Sequence, residues 1–214
     1  MAVVLSENDV RSLVSMDELI DATADALAAF SAGGAIQPLR TVLEVNGPGR
    51  FFGVMPAFLP AGALGAKLVT VFPDNVSRGL PSHRAVIVLI DPESGELAAV
   101  VDGRYITEAR TAAASAVSAR HLARSGPLAL AMLGSGVQAR SHLDALARVR
   151  EIAEVRVWSP TPARREAFVS EVSPAMAAPV RAVARAEDAV RGAGLVVLAT
   201  SSAKFTETVE FHAR

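Results

Sequence analysis

The sequence predicts an α/β protein in two parts, a small mixed α+β domain followed by an incomplete sheet of parallel strands. Between residues 36 and 101, apolar and polar residues alternate in short runs separated by turn residues, which is typical of strands joined as hairpins or meanders. A helical stretch rich in alanine follows over residues 107–123. From residue 128 onwards, short apolar runs alternate with helical patterns, and this order predicts a parallel sheet with right-handed crossovers.

The composition bounds the class of protein. Of the 214 residues 51% are hydrophobic, which is enough for a core in one large or two small domains. The net charge of −1 and the lack of a basic stripe argue against a nucleic-acid partner. No apolar run is long enough to cross a membrane, and no signal peptide is recognisable. Without cysteines, thiolate metal sites and a Cys nucleophile are excluded. No two histidines have the spacing of metal ligands, so we predict no metal. Since no membrane span, signal peptide or cysteine is found, a cytoplasmic location is expected.

The first domain is predicted to begin with two helices and to continue as strands. Ser6 and Ser15 each start an S-x-x-[DE] pattern, the signature of a helix N-terminus. The second helix carries its apolar residues on one face and ends at Gly33-Gly34; these residues are Met16, Leu19, Ile20, Ala24, Leu27 and Phe30. Five strands are predicted after it, over residues 38–45, 50–59, 64–72, 83–90 and 96–101.

The alanine-rich helix over 107–123 is predicted to link the two domains, with the boundary at Ser125-Gly-Pro127. We therefore assign residues 1–124 to a first domain and residues 125–202 to the second domain. The second domain has strands at 128–133, 154–158, 179–183 and 195–200, with helices at 137–148, 162–172 and 186–191. These elements make only the first half of a doubly wound sheet, and residues 203–214 form an unpatterned tail, so the chain is expected to be cut short.

A glycine turn joins the first strand of the second domain to the helix that follows, and it reads Gly134-Ser135-Gly136-Val137-Gln138-Ala139. The first glycine allows a tight turn, and the second lets the backbone approach a pyrophosphate. The small Ala139 lets the helix pack on the strand, and the N–H groups of the helix start face the anion. Since both flanks fit, the sequence predicts an incomplete Rossmann domain that binds NAD(P), although glycine pairs also occur in ordinary turns.

The end of the next strand bears on the choice between the two coenzymes. NAD-preferring folds usually carry an acidic residue there, whereas this chain has Ser159 followed by Arg164 and Arg165. Hydroxyl and guanidinium groups suit a 2′-phosphate, so NADP(H) is favoured slightly. The alternative is that both arginines are solvent-exposed residues of a helix surface with no role in binding. Thr200 and Ser201 end the last predicted strand, where ligands bind in such sheets, although these residue types also cap and turn by default.

The motifs and their order resemble the ornithine cyclodeaminase/μ-crystallin family across nearly the whole chain. The matching segments are Arg40-Thr-Val-Leu-Glu44, Gly65-Ala-Lys67-Leu-Val69, Gly79-Leu-Pro-Ser-His83, Leu89-Ile-Asp-Pro-Glu-Ser-Gly95, Thr107-Glu-Ala-Arg110-Thr-Ala-Ala-Ala-Ser115, Gly134-Ser-Gly-Val-Gln-Ala139 and Leu198-Ala-Thr-Ser-Ser202. Members include cyclodeaminases, imine reductases, alanine dehydrogenase-like enzymes and a hormone-binding crystallin, so the resemblance does not fix a substrate.

The resemblance implies that the first domain, residues 1–124, binds substrate and forms the dimer, and it implies roles for four residues of that domain. Arg40 and Arg110 would hold the substrate carboxylate, a task that suits a guanidinium fork. Lys67 would lie beside the carboxylate and the reacting carbon, where an ammonium group of lowered pKa also suits proton transfer. Ser82 would contact the substrate or nicotinamide region. The alternatives are surface arginines and an edge-strand lysine, but Lys67 is one of only two lysines in the chain, which favours a function.

The implied activity is hydride transfer at the α-carbon of an L-amino acid, as in the conversion of ornithine to proline plus ammonia. The alternatives are an imine reductase or alanine dehydrogenase-like oxidoreductase, a non-catalytic binder of NADP(H) and a carboxylate, and an inactive product. The partner would be a small amino acid or cyclic imine, and the family forms homodimers. The family's catalytic aspartate lies in a Gly-Gly-Asp motif that nothing after Ser202 matches, so a C-terminally truncated member is expected.

Overall fold

The computed structural model describes residues 1–60 and 62–200, and the chain divides into two compact units. The first unit comprises Met1–Arg110, and the second begins at Thr111. The linking helix α3 spans Arg104–Leu122 and therefore crosses this division. No helix in the described part of the chain is long and apolar enough to cross a membrane.

The first unit is built on a six-stranded mixed sheet with two helices at its N-terminal end. Its elements are β1 (Val3–Leu5), α1 (Glu7–Leu13), α2 (Met16–Ser31), β2 (Thr41–Glu44), β3 (Phe51–Leu59), β4 (Ala63–Val71), a 3-10 helix (Pro73–Arg78), β5 (His83–Ile90) and β6 (Leu97–Asp102). The strand order is β1-β6-β5-β4-β3-β2, and only the pairing of β1 with β6 is parallel. Strand β1 was not predicted from the sequence, and β2 is shorter than the predicted 38–45, since Arg40 precedes that strand.

Both helix starts predicted from serine are confirmed as reciprocal capping boxes. Ser15 Oγ accepts the backbone N–H of Glu18 at 3.3 Å, and the Glu18 carboxylate accepts the backbone N–H of Ser15 at 3.1 Å. Ser6 and Asp9 make the same pair of bonds at the start of α1. Each box satisfies two N–H groups that a helix end leaves without an intrahelical partner.

The apolar face predicted for α2 is buried only near its N-terminal end. Met16 and Ile20 are buried, whereas Leu27 and Phe30 are 44% and 52% exposed. The prediction is therefore wrong for the last turns of the helix. The reason is geometric, because this end of α2 borders an open cavity over β3, β4 and β5 instead of a closed core.

The second unit is a parallel four-stranded sheet with helices in the crossovers. After the end of α3 come β7 (Leu128–Leu133), α4 (Val137–Val149), β8 (Ile152–Trp158), α5 (Pro162–Val172), a 3-10 helix (Ser173–Ala175), β9 (Val180–Ala182), α6 (Ala186–Val190) and β10 (Leu195–Leu198). The predicted α/β class with a partial Rossmann-like sheet is confirmed. The core is formed by apolar side chains from strands and helices alike; the largest are Leu130, Met132, Leu146, Val155, Val157 and Phe168.

The order of the strands positions the glycine turn. It is β10-β7-β8-β9, so the chain moves from β7 outward to β9 and then returns to place β10 on the other side of β7. The carboxyl end of β7 is therefore the point at which the strand order reverses. Open α/β sheets bind ligands at this point, because the loops on either side diverge and leave a crevice.

Candidate functional site

Gly134 closes the turn at the end of β7. Its φ of +128° lies in a region that side chains other than glycine rarely adopt. A Cβ at this position would lie 2.2 Å from the carbonyl oxygen of Ala199, which follows β10. The Gly134 N–H donates to the carbonyl of Trp158 at 2.8 Å, which ties the turn to the end of β8. Only glycine fits this position.

Gly136, at the N-cap of α4, has a different environment. Its backbone is extended and no side chain caps the helix. A Cβ here would meet no atom of the described chain within 4 Å. Behind it, Ala139 is fully buried in the core between helix and sheet. An uncapped helix start beside open space is what a pyrophosphate requires, so these residues fit the NAD(P) group that the turn implies.

The other residues of the turn differ in exposure. Val137 is 51% exposed, whereas Gln138 is half-buried. The side-chain oxygen of Gln138 is shielded from water and has no hydrogen-bond partner among the described residues. Such an acceptor without a donor is costly, and a donor group on a bound ligand would satisfy it.

Ser159 links the turn to the end of β8. It is only 5% exposed, it accepts a hydrogen bond from Ser135 Oγ at 3.0 Å, and its own hydroxyl donates to the carbonyl of Thr161 at 3.4 Å. Arg165 donates to the carbonyl of Ser159 at 2.9 Å. Arg164 is exposed on the first turn of α5. Of the groups predicted near a 2′-phosphate, Ser159 is therefore buried, Arg165 is half-buried and Arg164 is the most exposed.

The last strand contributes one described site residue. Thr200 is exposed and lies beyond the end of β10. The residue before it, Ala199, donates its N–H to the carbonyl of Leu133 on β7 at 2.8 Å. That bond keeps the chain beside β7 up to the glycine turn. The predicted cofactor contact at Ser201 lies outside the described residues, as does the tail over 203–214.

A row of facing residues across the first sheet brings two of the predicted cations together. Lys67 on β4 pairs with Met55 on β3 and with Ile87 on β5. Because Thr41 pairs with Val54, Arg40 precedes β2 at the level of Met55. Residues that face each other in register lie on the same side of a sheet, so Arg40, Met55 and Lys67 share one face.

The electrostatics of this cationic cluster (Arg40, Lys67 and Arg110) are unusual. Burial lowers the pKa of the half-buried Lys67, and the charges of Arg110 and then Arg40 lower it further. Partial loss of solvent, followed by the charge of Arg40, lowers the pKa of Arg110. Within the described residues none of the three pairs with a carboxylate. Three cations without a counter-charge form a site for an anion.

Ser82, the fourth predicted substrate residue, is not in this row. Its hydroxyl lies 3.0 Å from Nδ1 of the adjacent His83. His83 pairs with Val71, four residues along β4 from Lys67, a separation of roughly 13 Å at about 3.3 Å per residue. The structure therefore brings Arg40, Lys67 and Arg110 together and leaves Ser82 apart.

An apolar cavity adjoins the cationic cluster within the first unit. Its volume is about 400 Å³, and Lys67 is part of its lining together with Met55, Ile87, Leu89 and Phe30. Apolar walls with a few polar groups are the usual make-up of a small-molecule site. A ligand with a carboxylate and a hydrocarbon body matches this combination.

One residue of the second unit was missed by the sequence analysis. Arg140 on α4 donates from Nη1 to the carbonyls of Ser135 and Gly136 at 2.8 and 3.1 Å. Nothing in the sequence distinguishes Arg140 from the other arginines of the chain, because its contacts depend on how the turn and α5 are placed. Within the described residues, no group of three or more His, Asp or Glu side chains is placed to hold a metal ion.

The fold and the turn together define a class, proteins with a Rossmann-like nucleotide-binding unit joined to a separate mixed domain. The chain belongs to the ornithine cyclodeaminase/mu-crystallin family, whose model matches residues 1–212. The resemblance drawn from the sequence motifs is thereby confirmed.

Three relatives illustrate the similarity. The chain is 40% identical to the ketimine reductase mu-crystallin of Rattus norvegicus over 212 residues, covering 97% of this chain and 66% of the relative. It superposes with a TM-score of 0.86 and 35% identity on the Δ1-pyrroline-2-carboxylate reductase of Thermococcus litoralis in complex with NADH and L-proline, covering 92% of this chain and 61% of that one. An archaeal alanine dehydrogenase dimer with bound NAD gives a TM-score of 0.83 and 34% identity, over 88% of this chain and 57% of that one. The chain thus spans less than two thirds of the length of each.

Proposed function

We propose that this protein catalyses NAD(P)-dependent reduction of a small 2-imino carboxylate, or the reverse oxidation of the corresponding amino acid. The observation that carries the proposal is the cationic cluster of Arg40, Lys67 and Arg110, which has no carboxylate partner among the described residues. The nucleotide-type turn of the second unit supports the coenzyme part of the proposal. The similarity to a ketimine reductase, a pyrroline-2-carboxylate reductase and an alanine dehydrogenase supports the substrate class.

In this proposal Arg40 and Arg110 bind the substrate carboxylate and orient the α-carbon. The chemistry that NAD(P)(H) supplies when bound is hydride transfer to or from that carbon. Lys67 contributes positive charge beside the carbon–nitrogen double bond, which favours attack at carbon. Because its pKa is lowered, Lys67 also releases a proton from Nζ more readily than an ordinary lysine does. Hydride at carbon and a proton at nitrogen complete the amine.

The ornithine cyclodeaminase reaction is a second candidate, in which ammonia leaves and the hydride returns to carbon. The observation that favours it is a TM-score of 0.81, at 29% identity, to a lysine cyclodeaminase that recognises L-lysine and L-ornithine. A non-catalytic binder of NADP(H) and a carboxylate is the third candidate, and it uses the same two sites without turnover.

A single set of assays separates these candidates. The oxidation of NADPH and of NADH is followed by absorbance with Δ1-pyrroline-2-carboxylate, and the release of ammonia is followed with L-ornithine. We expect the first reaction and not the second, together with its loss in Arg40→Ala. Ammonia release from ornithine supports the cyclodeaminase, and nucleotide and carboxylate binding without either reaction supports the binder. If neither ligand binds, the proposed function is wrong.

Carboxylate binding is expected to weaken at high pH. Lys67 must be protonated to attract the anion, and since its pKa lies below the ordinary value of 10.5, binding is lost at a lower pH than for an exposed lysine. Titration calorimetry with pyrrole-2-carboxylate between about pH 7 and 10 measures this loss. In Lys67→Arg, which stays protonated, the decline should disappear. An unchanged pH profile in that variant contradicts the assignment of Lys67.

Arg164→Ala is expected to change coenzyme preference. Arg164 is exposed beside the end of β8 and is the group best placed for a 2′-phosphate. Its loss should weaken NADPH binding by about tenfold, as for one exposed charge-assisted hydrogen bond, and leave NADH unchanged. Fluorescence titration with Trp158 as donor measures both, and Arg181→Ala on β9 is the matched control. Equal effects on the two coenzymes contradict a role at the 2′-phosphate.

We also propose that the protein forms a homodimer, as the family resemblance implies and as the dimeric alanine dehydrogenase supports. The sheet of the first unit has an apolar face opposite Lys67, and on it Val86 and Leu43 are 40% and 56% exposed. Apolar surface of this kind is typical of an interface. Sedimentation equilibrium tests the proposal, and a monomer at micromolar concentration contradicts it.

A further inference from the structure

We infer that Arg140 is a positioning residue that aims the backbone N–H groups of the glycine turn at the coenzyme. The inference rests on the proposed coenzyme binding and extends it to a residue outside the turn itself. Arg140 lies one turn into α4, and no motif in the sequence includes it.

Arg140 makes two hydrogen bonds to the glycine turn. Nη1 of Arg140 donates to the carbonyl oxygens of Ser135 and Gly136 at 2.8 and 3.1 Å. A peptide bond is planar and trans, so each carbonyl points opposite to the N–H of the next residue. Holding these two carbonyls on the Arg140 side turns the N–H groups of Gly136 and Val137 to the other side.

The space on that other side of the turn is open. A Cβ built on Gly136 meets nothing within 4 Å, and no side chain caps α4. The two N–H groups are therefore directed away from the guanidinium at an uncapped helix start. This is the arrangement that binds phosphate oxygens through backbone donors.

Three contacts with α5 hold the guanidinium group of Arg140 in place. Its Nε donates to Glu171 Oε1 at 2.8 Å, its Nη2 donates to Glu171 Oε2, and its Cζ lies 5.2 Å from the ring centre of Phe168. Phe168 is fully buried, so it is a fixed support. The bond to Arg140 lowers the pKa of Glu171, so the pair remains ionised at neutral pH. Since α5 carries both partners, it determines the orientation of the turn.

The test compares Arg140→Met with Arg148→Met, a matched arginine on the same helix. Arg148 is similarly exposed and pairs at 3.1 Å with Asp144, which lies four residues before it on α4. NADPH and adenosine 2′-monophosphate, which lacks the pyrophosphate, are titrated into each full-length variant. We expect Arg140→Met to bind NADPH about tenfold more weakly and adenosine 2′-monophosphate as wild type does. Arg148→Met should match wild type for both.

Two further measurements separate positioning from a structural role. Thermal unfolding should shift by less than about 4 °C in Arg140→Met, because exposed ion pairs contribute little to stability. Arg140→Lys, with a shorter reach and no fork, should recover only part of the NADPH affinity. Equal weakening of both nucleotides, or unchanged NADPH affinity in Arg140→Met, overturns the inference. If the wild-type chain binds no nucleotide, the proposed coenzyme function fails, and the inference fails with it.

Discussion

Lys67→Met is expected to lower kcat/KM for the imino carboxylate by about 10- to 150-fold, since a charge-assisted hydrogen bond contributes roughly 1.5–3 kcal/mol. The same change should raise the thermal stability. Lys67 is half-buried beside two arginines, and its lowered pKa means that the folded state disfavours the charged form. Below that pKa the ammonium destabilises the fold, and this cost is relieved only as pH rises toward 10.5. At pH 7 its removal is therefore stabilising.

The gain in stability is expected to be about 1 kcal/mol, or roughly 2–4 °C in the unfolding temperature, because the side chain remains partly solvated. Calorimetry near neutral pH measures it, and a second scan near pH 10 should show a smaller difference from wild type. Arg181→Met is the control, since Arg181 is an exposed arginine on β9 of the second unit, away from both faces of the first sheet. A destabilised Lys67→Met chain, or one that still turns over at the wild-type rate, contradicts the assignment.

Much of the fold could be predicted from the sequence because its signals are local. The capping boxes at Ser6 and Ser15 and the glycine turn depend on residues within five positions of one another, and the structure reproduces them. Strand β1 could not be predicted in this way. Its three residues, Val3–Leu5, are too few to show alternation, and they form a strand only because they pair with β6 far along the chain.

The same distinction between local signals and long-range contacts applies to the residues of the candidate site. Lys67 stands out in the sequence as a rare lysine within an apolar run, and the register then places it level with Arg40. The interaction of Arg140 with the turn and with Glu171 arises from the packing of α4 against α5, which no short pattern encodes. The exposure of Phe30 is likewise decided by what packs over the end of α2 and not by the apolar period of the helix.

Alanine at Gly134 is expected to destabilise the fold, whereas alanine at Gly136 is expected to weaken coenzyme binding. Gly134→Ala forces a Cβ to within 2.2 Å of the Ala199 carbonyl oxygen at a φ of +128°. Because backbone atoms on both sides must move, we expect a loss of more than about 4 kcal/mol in the free energy of unfolding. Gly126→Ala is the matched control, with a positive φ and no atom within 4 Å; strain alone should cost it about 1–2 kcal/mol. Urea unfolding followed by Trp158 fluorescence measures both.

Gly136→Ala should leave the fold intact and impair the site. Its backbone is extended, and the new methyl group meets no atom of the described chain, so the unfolding free energy should change by less than about 1 kcal/mol. That methyl group occupies the space from which a pyrophosphate would approach the N–H groups of α4, so we expect NADPH affinity to fall by about tenfold or more. Gly134 would then serve the fold and Gly136 the ligand. A stable Gly136→Ala chain with wild-type affinity would show that the open space beside α4 is not where the coenzyme binds.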